Sequence, residues 1–132
     1  MLRVQKVRLY PKETMKQVLD DLCDYRRYCW NQGLALWNDM YDASLVLGDK
    51  KLRPSARKVR DELVANKEDW QYQLSARCLQ LAISDLGKAW QNFFKKSLPD
   101  WGKPKFKSKK TARQGFKTDR AQIVDGKLRL DK

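Results

Sequence analysis

Residues 89–116, A-W-Q-N-F-F-K-K-S-L-P-D-W-G-K-P-K-F-K-S-K-K-T-A-R-Q-G-F, mark where one kind of backbone gives way to another. Trp90, Phe93 and Phe94 follow the three- and four-residue steps of a buried helix face. Pro99, Gly102 and Pro104 close that helix, since proline lacks an N–H and glycine raises the entropy cost of helical backbone. Beyond them cations alternate with single rings: Lys103, Lys105, Phe106, Lys107, Lys109, Lys110, Arg113 and Phe116. Cations neutralise phosphates, and interleaved rings either stack on bases or anchor the segment to a core. For Phe106 and Phe116, anchoring of strands to a core is the favoured reading.

Upstream, the helical period runs back to Trp70 and predicts a helix over about 70–97, with Leu74, Leu79, Ala82, Ile83, Leu86, Trp90, Phe93 and Phe94 inward. Its other face reads Arg77, Gln80, Ser84, Lys88, Gln91 and Lys95, with no carboxylate among them. Solvated helix faces usually mix signs, whereas Gln bonds adenine and Arg bonds guanine in two places each. Ser55 predicts a cap for a shorter helix over about 55–66, with Val59 and Leu63 inward. Gly48 to Lys51 read as a loop. A long apolar stripe, from Met15, Val18, Leu19 and Leu22 to Trp37, Met40 and Tyr41, predicts one helix over about 12–45. Gly33 inside it marks either a close helix crossing or a break.

Both ends of the chain carry strand signals. Residues 2–10 alternate with period two, and Pro11 ends the run. Asp125-Gly126 between A-Q-I-V and K-L-R-L is a two-residue hairpin signal, with Leu128 and Leu130 on one face of the second strand. A lone first strand leaves its ladder unpaired, so pairing of both ends is expected. The expected fold class is α+β: a mainly helical lobe of three helices inserted between N-terminal and C-terminal strands of a partial β-barrel.

The 132 residues suit one domain, and their 29 Lys+Arg against 16 Asp+Glu give a net charge of +13. The charge is uneven. Residues 102–120 hold eight cations against the single anion Asp119, a net of +7, while residues 12–45 stand at −2. A basic tail beside a weakly acidic helical part implies a polyanionic partner. Cys23, Cys29 and Cys78 are odd in number and lack C-x-x-C spacing, which predicts buried free thiols rather than a disulfide framework or zinc knuckle. No apolar run approaches the roughly 18 residues of a membrane span, and a cytoplasmic protein is expected. The chain has no histidine, and no nucleophile-elbow, phosphate-loop or metal-ligand motif is present. Asp20, Asp21, Asp24, Asp39 and Asp42 lie along one helix near Lys16, Arg26 and Arg27 and read as solvated charge.

Six pieces in series carry a resemblance: V-R-L-Y-P (7–11), R-R-Y-C-W-N-Q-G-L-A-L-W (26–37), L-Q-L-A-I-S-D-L-G-K-A-W-Q-N-F-F-K (79–95), G-K-P-K-F-K-S-K-K (102–110), R-Q-G-F (113–116) and D-G-K-L-R-L (125–130). Together they resemble the N-terminal region of TnpB, also called OrfB. These are transposon-encoded RNA-guided nucleases related to the compact type V CRISPR effectors, and this region is described as a transposase helix-turn-helix domain. The resemblance implies a wedge-type barrel from residues 1–11 and 99–132, interrupted by a recognition-like helical lobe over 12–98, together one domain. It implies DNA and a guide RNA as partners, with the motif-reading glutamine falling on Gln80 and another reader's position on Ala76, which cannot donate a hydrogen bond. The family's RuvC-like carboxylates and zinc cysteines have no counterpart here. The expected function is therefore a nucleic-acid-binding N-terminal fragment that grips guide RNA and target-adjacent DNA without catalysis of its own. A nuclease half acting in trans is a further partner, and no cofactor is expected. A stand-alone helix-turn-helix regulator is the alternative. The expected nucleic-acid-binding residues are Arg77, Gln80, Ser84, Lys88, Lys103, Lys105, Lys107, Lys109, Lys110, Arg113 and Lys117.

Overall fold

The structure, a computed structural model, describes residue 6 and residues 8–95, 102–108, 122–124 and 127–129. Three helices dominate it: α1 (Glu13–Leu47), α2 (Ala56–Ala65) and α3 (Ala76–Phe94). Two short strands, β1 (Gln122–Val124) and β2 (Lys127–Arg129), follow.

α1 is one uninterrupted helix of 35 residues. Glu13 in its first turn suits the positive end of the helix dipole. Gly48 ends it in the left-handed conformation (φ 63°), its N–H returning to the Ser44 carbonyl. α2 starts where Ser55 accepts a hydrogen bond from the Lys58 N–H at 3.2 Å. The Lys58 ammonium also donates to the Lys51 and Arg53 carbonyls, tying the preceding 3-10 turn (Lys50–Leu52) onto α2.

The core lies where α1 meets α3, with α2 closing one side. Leu22, Tyr25, Cys29, Trp30, Leu34 and Trp37 of α1 pack with Cys78, Leu79, Ala82, Ile83, Leu86 and Trp90 of α3 and with Val59 of α2. Trp37 stacks on Trp90 at 5.7 Å between centroids. Gly33 is settled by this packing. A Cβ there would meet Ile83 Cδ1 at 2.4 Å, so the glycine marks a close crossing and not a break. Arg26 reaches across to Asp85 at 3.6 Å, a half-buried ion pair between α1 and α3.

Three expectations require correction. The third helix does not begin at Trp70. That residue sits in a 3-10 turn (Asp69–Gln73) with its ring edge-on to Tyr28, and the helix starts at Ala76. The apolar stripe of α1 is not buried throughout, since Met15, Val18 and Tyr41 are exposed. The α+β partial barrel is also overturned: the protein is helical, and no barrel exists among the described residues. Among the described residues β1 and β2 pair with each other, antiparallel, as Gln122↔Arg129, Ile123↔Leu128 and Val124↔Lys127. Residue 6 and residues 8–10 form no strand, and the rest of the expected first strand lies outside the described residues. The lobe buries its apolar faces helix against helix, so no sheet is needed to cover them. Within residues 102–108, the main chain of Lys105 and Lys107 is hydrogen-bonded by side chains of α1.

Candidate nucleic-acid interface

Asn31 and Trp30, side by side on α1, hold the basic segment. The Lys107 N–H donates to Asn31 Oδ1 and Asn31 Nδ2 donates to the Lys107 carbonyl, both at 2.8 Å. The carboxamide thus takes the place of a peptide group in a β-ladder. Trp30 Nε1 donates to the Lys105 carbonyl at 2.9 Å, satisfying a buried indole with a main-chain oxygen. The Lys107 ammonium lies 3.9 Å from the Trp30 ring centroid, a cation–π contact. Four contacts therefore fix residues 105–107 across about 75 positions of sequence.

This arrangement sorts the cations of the segment. Lys103 and Lys105 are exposed, whereas Lys107 is half-buried on Trp30. Phe106 is 59% exposed, which overturns its expected role as a core anchor. Lys109, Lys110, Arg113, Phe116 and Lys117 lie outside the described residues.

The second expected surface is on α3. Arg77 donates to Oε1 of Gln80 one turn on, so the two proposed base readers are paired with each other in the free protein. Both are half-buried, while Ser84 and Lys88 further along the face are exposed. The structure brings Arg77 and Gln80 together, and it pins the basic segment on α1 through Trp30 and Asn31. Neither of those two residues was an expected site residue. The available signal was an asparagine, a poor helix former, inside a long helix and next to a large ring that needs a partner for its N–H.

Asp24 pairs with Arg27 at 2.7 Å and Asp21 accepts from Gln17 at 2.9 Å. Among the described residues no cluster of His, Cys, Asp or Glu is arranged to hold a metal ion. Cys29 and Cys78 are buried free thiols and Cys23 is half-buried. Burial pushes the Cys29 thiol up to about 12, partly offset by its hydrogen bond with Tyr25. No helix among the described residues is long and apolar enough to cross a membrane.

Residues 1–45 match the family model HTH_OrfB_IS605, described as a helix-turn-helix domain. Over this stretch, about a third of the chain, the protein is similar to the helix-turn-helix region of OrfB-type transposase proteins. No curated protein matches the chain. The described part of the matched stretch holds a single helix, α1, and not two helices joined by a turn.

Proposed function

We propose that this chain supplies nucleic-acid binding to a TnpB-like transposon protein, gripping target-adjacent DNA and the element's guide RNA without catalysing strand cleavage. The observation that carries the reading is the basic segment pinned to α1 with Lys103 and Lys105 exposed. A backbone fixed in this way holds its cations at set spacing before a phosphate chain arrives, which lowers the ordering cost of binding. The match of the N-terminal region to a DNA-binding transposase class supports the same reading. The lack of histidine and of nucleotide- or metal-binding motifs in the sequence supports a binding role rather than a catalytic one. A nuclease component acting in trans would complete the activity.

Gel shift and fluorescence anisotropy with duplex DNA and with RNA over a salt series test the proposal. Affinity should fall steeply with salt. Charge reversal at Lys103 and Lys105 together should flatten the slope by about two counterions and weaken binding roughly uniformly across sequences. Affinity that is insensitive to salt and to both substitutions would overturn it. Magnesium-dependent cleavage of DNA by the purified chain would overturn the non-catalytic part.

A further inference from the structure

Phe106 is the residue in the basic segment whose environment least fits a packing role. Its backbone neighbours are both immobilised: the Lys105 carbonyl by Trp30, and the Lys107 N–H and carbonyl by Asn31. The Lys107 side chain is laid against the Trp30 ring. The clamp holds residues 105 and 107 by their main chain and leaves the ring of Phe106 between them in solvent. The phenyl ring is 59% exposed, with exposed Lys103 and Lys105 just before it. An exposed phenyl on a mobile tail would gain little from being there. On a backbone clamped at both flanks it is a flat, preorganised surface that follows two exposed cations.

We propose that Phe106 is a stacking platform for an unpaired base, with Lys103 and Lys105 taking the adjoining phosphates and Trp30 and Asn31 as the positioning residues that hold it out. The ligand class is single-stranded nucleic acid, because a base inside a duplex has both of its faces covered by neighbours. This assignment rests on the nucleic-acid reading above and narrows it. Stacking supplies attraction independent of sequence, since every base has a π-face. Lys107 serves the clamp and is not a phosphate ligand.

The test is anisotropy with the full chain against single-stranded DNA, single-stranded RNA and duplex DNA of one sequence, over a salt series. Phe106→Ala should weaken single-strand binding about 10-fold, leave duplex binding and the salt slope unchanged, and leave the melting curve of this exposed site unmoved. Phe106→Trp should restore the affinity. Asn31→Ala should reproduce the loss with Phe106 still present, and should abolish the slow hydrogen exchange of the Lys107 amide while α3 amides stay protected. Comparison of the DNA and RNA arms identifies which strand uses the platform. Single-strand affinity equal to wild type in Phe106→Ala, or equal losses on duplex and single strands, would overturn the proposal. If Lys103→Gln and Lys105→Gln weaken binding and Phe106→Ala does not, only the stacking assignment fails. If none of the three has an effect, the nucleic-acid reading fails with it.

Discussion

A Cβ at position 33 would stand 2.4 Å from Ile83 Cδ1 and 3.1 Å from Leu86 Cδ2, and one at position 87 would stand 2.9 Å from the Ala56 Cβ. Alanine gains about 1 kcal/mol over glycine inside a helix, while overpacking a core costs about 1–3 kcal/mol. At position 33 the opposing atom ends a side chain that is itself buried, so Gly33→Ala should lose stability by about 1 kcal/mol in urea denaturation. At position 87 the opposing atom is a Cβ, which no rotamer can move. Gly87→Ala should therefore shift α2 relative to α3 and cost at least as much. Gly48 is different, with open space around it and a positive φ. Gly48→Ala should cost about 1 kcal/mol through backbone strain alone, and Gly48→Asn less. Cys29 adds a pH signature. Its thiol ordinarily titrates near 9.0 and in the fold near 12, so the neutral form is favoured by folding. The stability it lends is whole below the ordinary value and is lost as pH rises through 9.0 toward about 12. Denaturation midpoints should fall over that window, and the fall should shrink in Cys29→Ala. Native-state thiol labelling should reach Cys23 well before Cys29 or Cys78.

At the scale of elements, α1 outruns its partners. Its 35 residues extend about 52 Å at 1.5 Å each, against about 28 Å for the 19 residues of α3. Packing from Leu22 to Trp37 uses the middle, and both ends project with apolar side chains uncovered, including Met15 and Val18 at one end and Leu45, Val46 and Leu47 at the other. Periodicity gave the helix and its inward face but carries no information on how long the neighbouring helix is, which is why the stripe read as buried throughout. The α2 cap was legible because a serine that accepts from the N–H three residues on is a local device. Ser55→Ala should lower stability by about 1 kcal/mol, read from thermal unfolding, because the Lys58 N–H loses its acceptor. The Trp70 boundary was not legible. Its ring suits the first turn of a helix as well as the 3-10 turn it occupies against Tyr28, and only the tertiary contact decides. The barrel failed for a related reason. Alternation predicts an extended segment but not what it bonds to, and among the described contacts Trp30 and Asn31 on a helix bond the main chain of Lys105 and Lys107. Of the expected α3 face, spacing placed Ser84 and Lys88 in solvent, yet it gave no sign that Arg77 donates to Gln80. Gln80→Ala and Arg77→Lys should each shift base preference, and binding-site selection on both variants separates the contributions of the two side chains.

The whole molecule carries a net charge of +13, and the ion pairs among the described residues are few and lie at the surface or between helices. Two opposing salt effects follow. Without nucleic acid, added salt screens the self-repulsion of the folded chain and should raise the melting temperature. With nucleic acid in excess, binding to the folded state adds stability that grows with ligand over Kd, about 2.7 kcal/mol at 100-fold excess. Salt weakens that binding through counterion release, so the same additions should then lower the melting temperature. The slope of melting temperature against salt should thus reverse sign when a single-stranded oligonucleotide is present, and the two curves should converge at high salt, where the complex has dissociated. Lys103→Gln with Lys105→Gln should bring the curves together at lower salt, while Phe106→Ala should narrow the gap at every salt concentration without moving the point of convergence as far. Parallel curves of the same sign would mean that the oligonucleotide does not bind the folded chain.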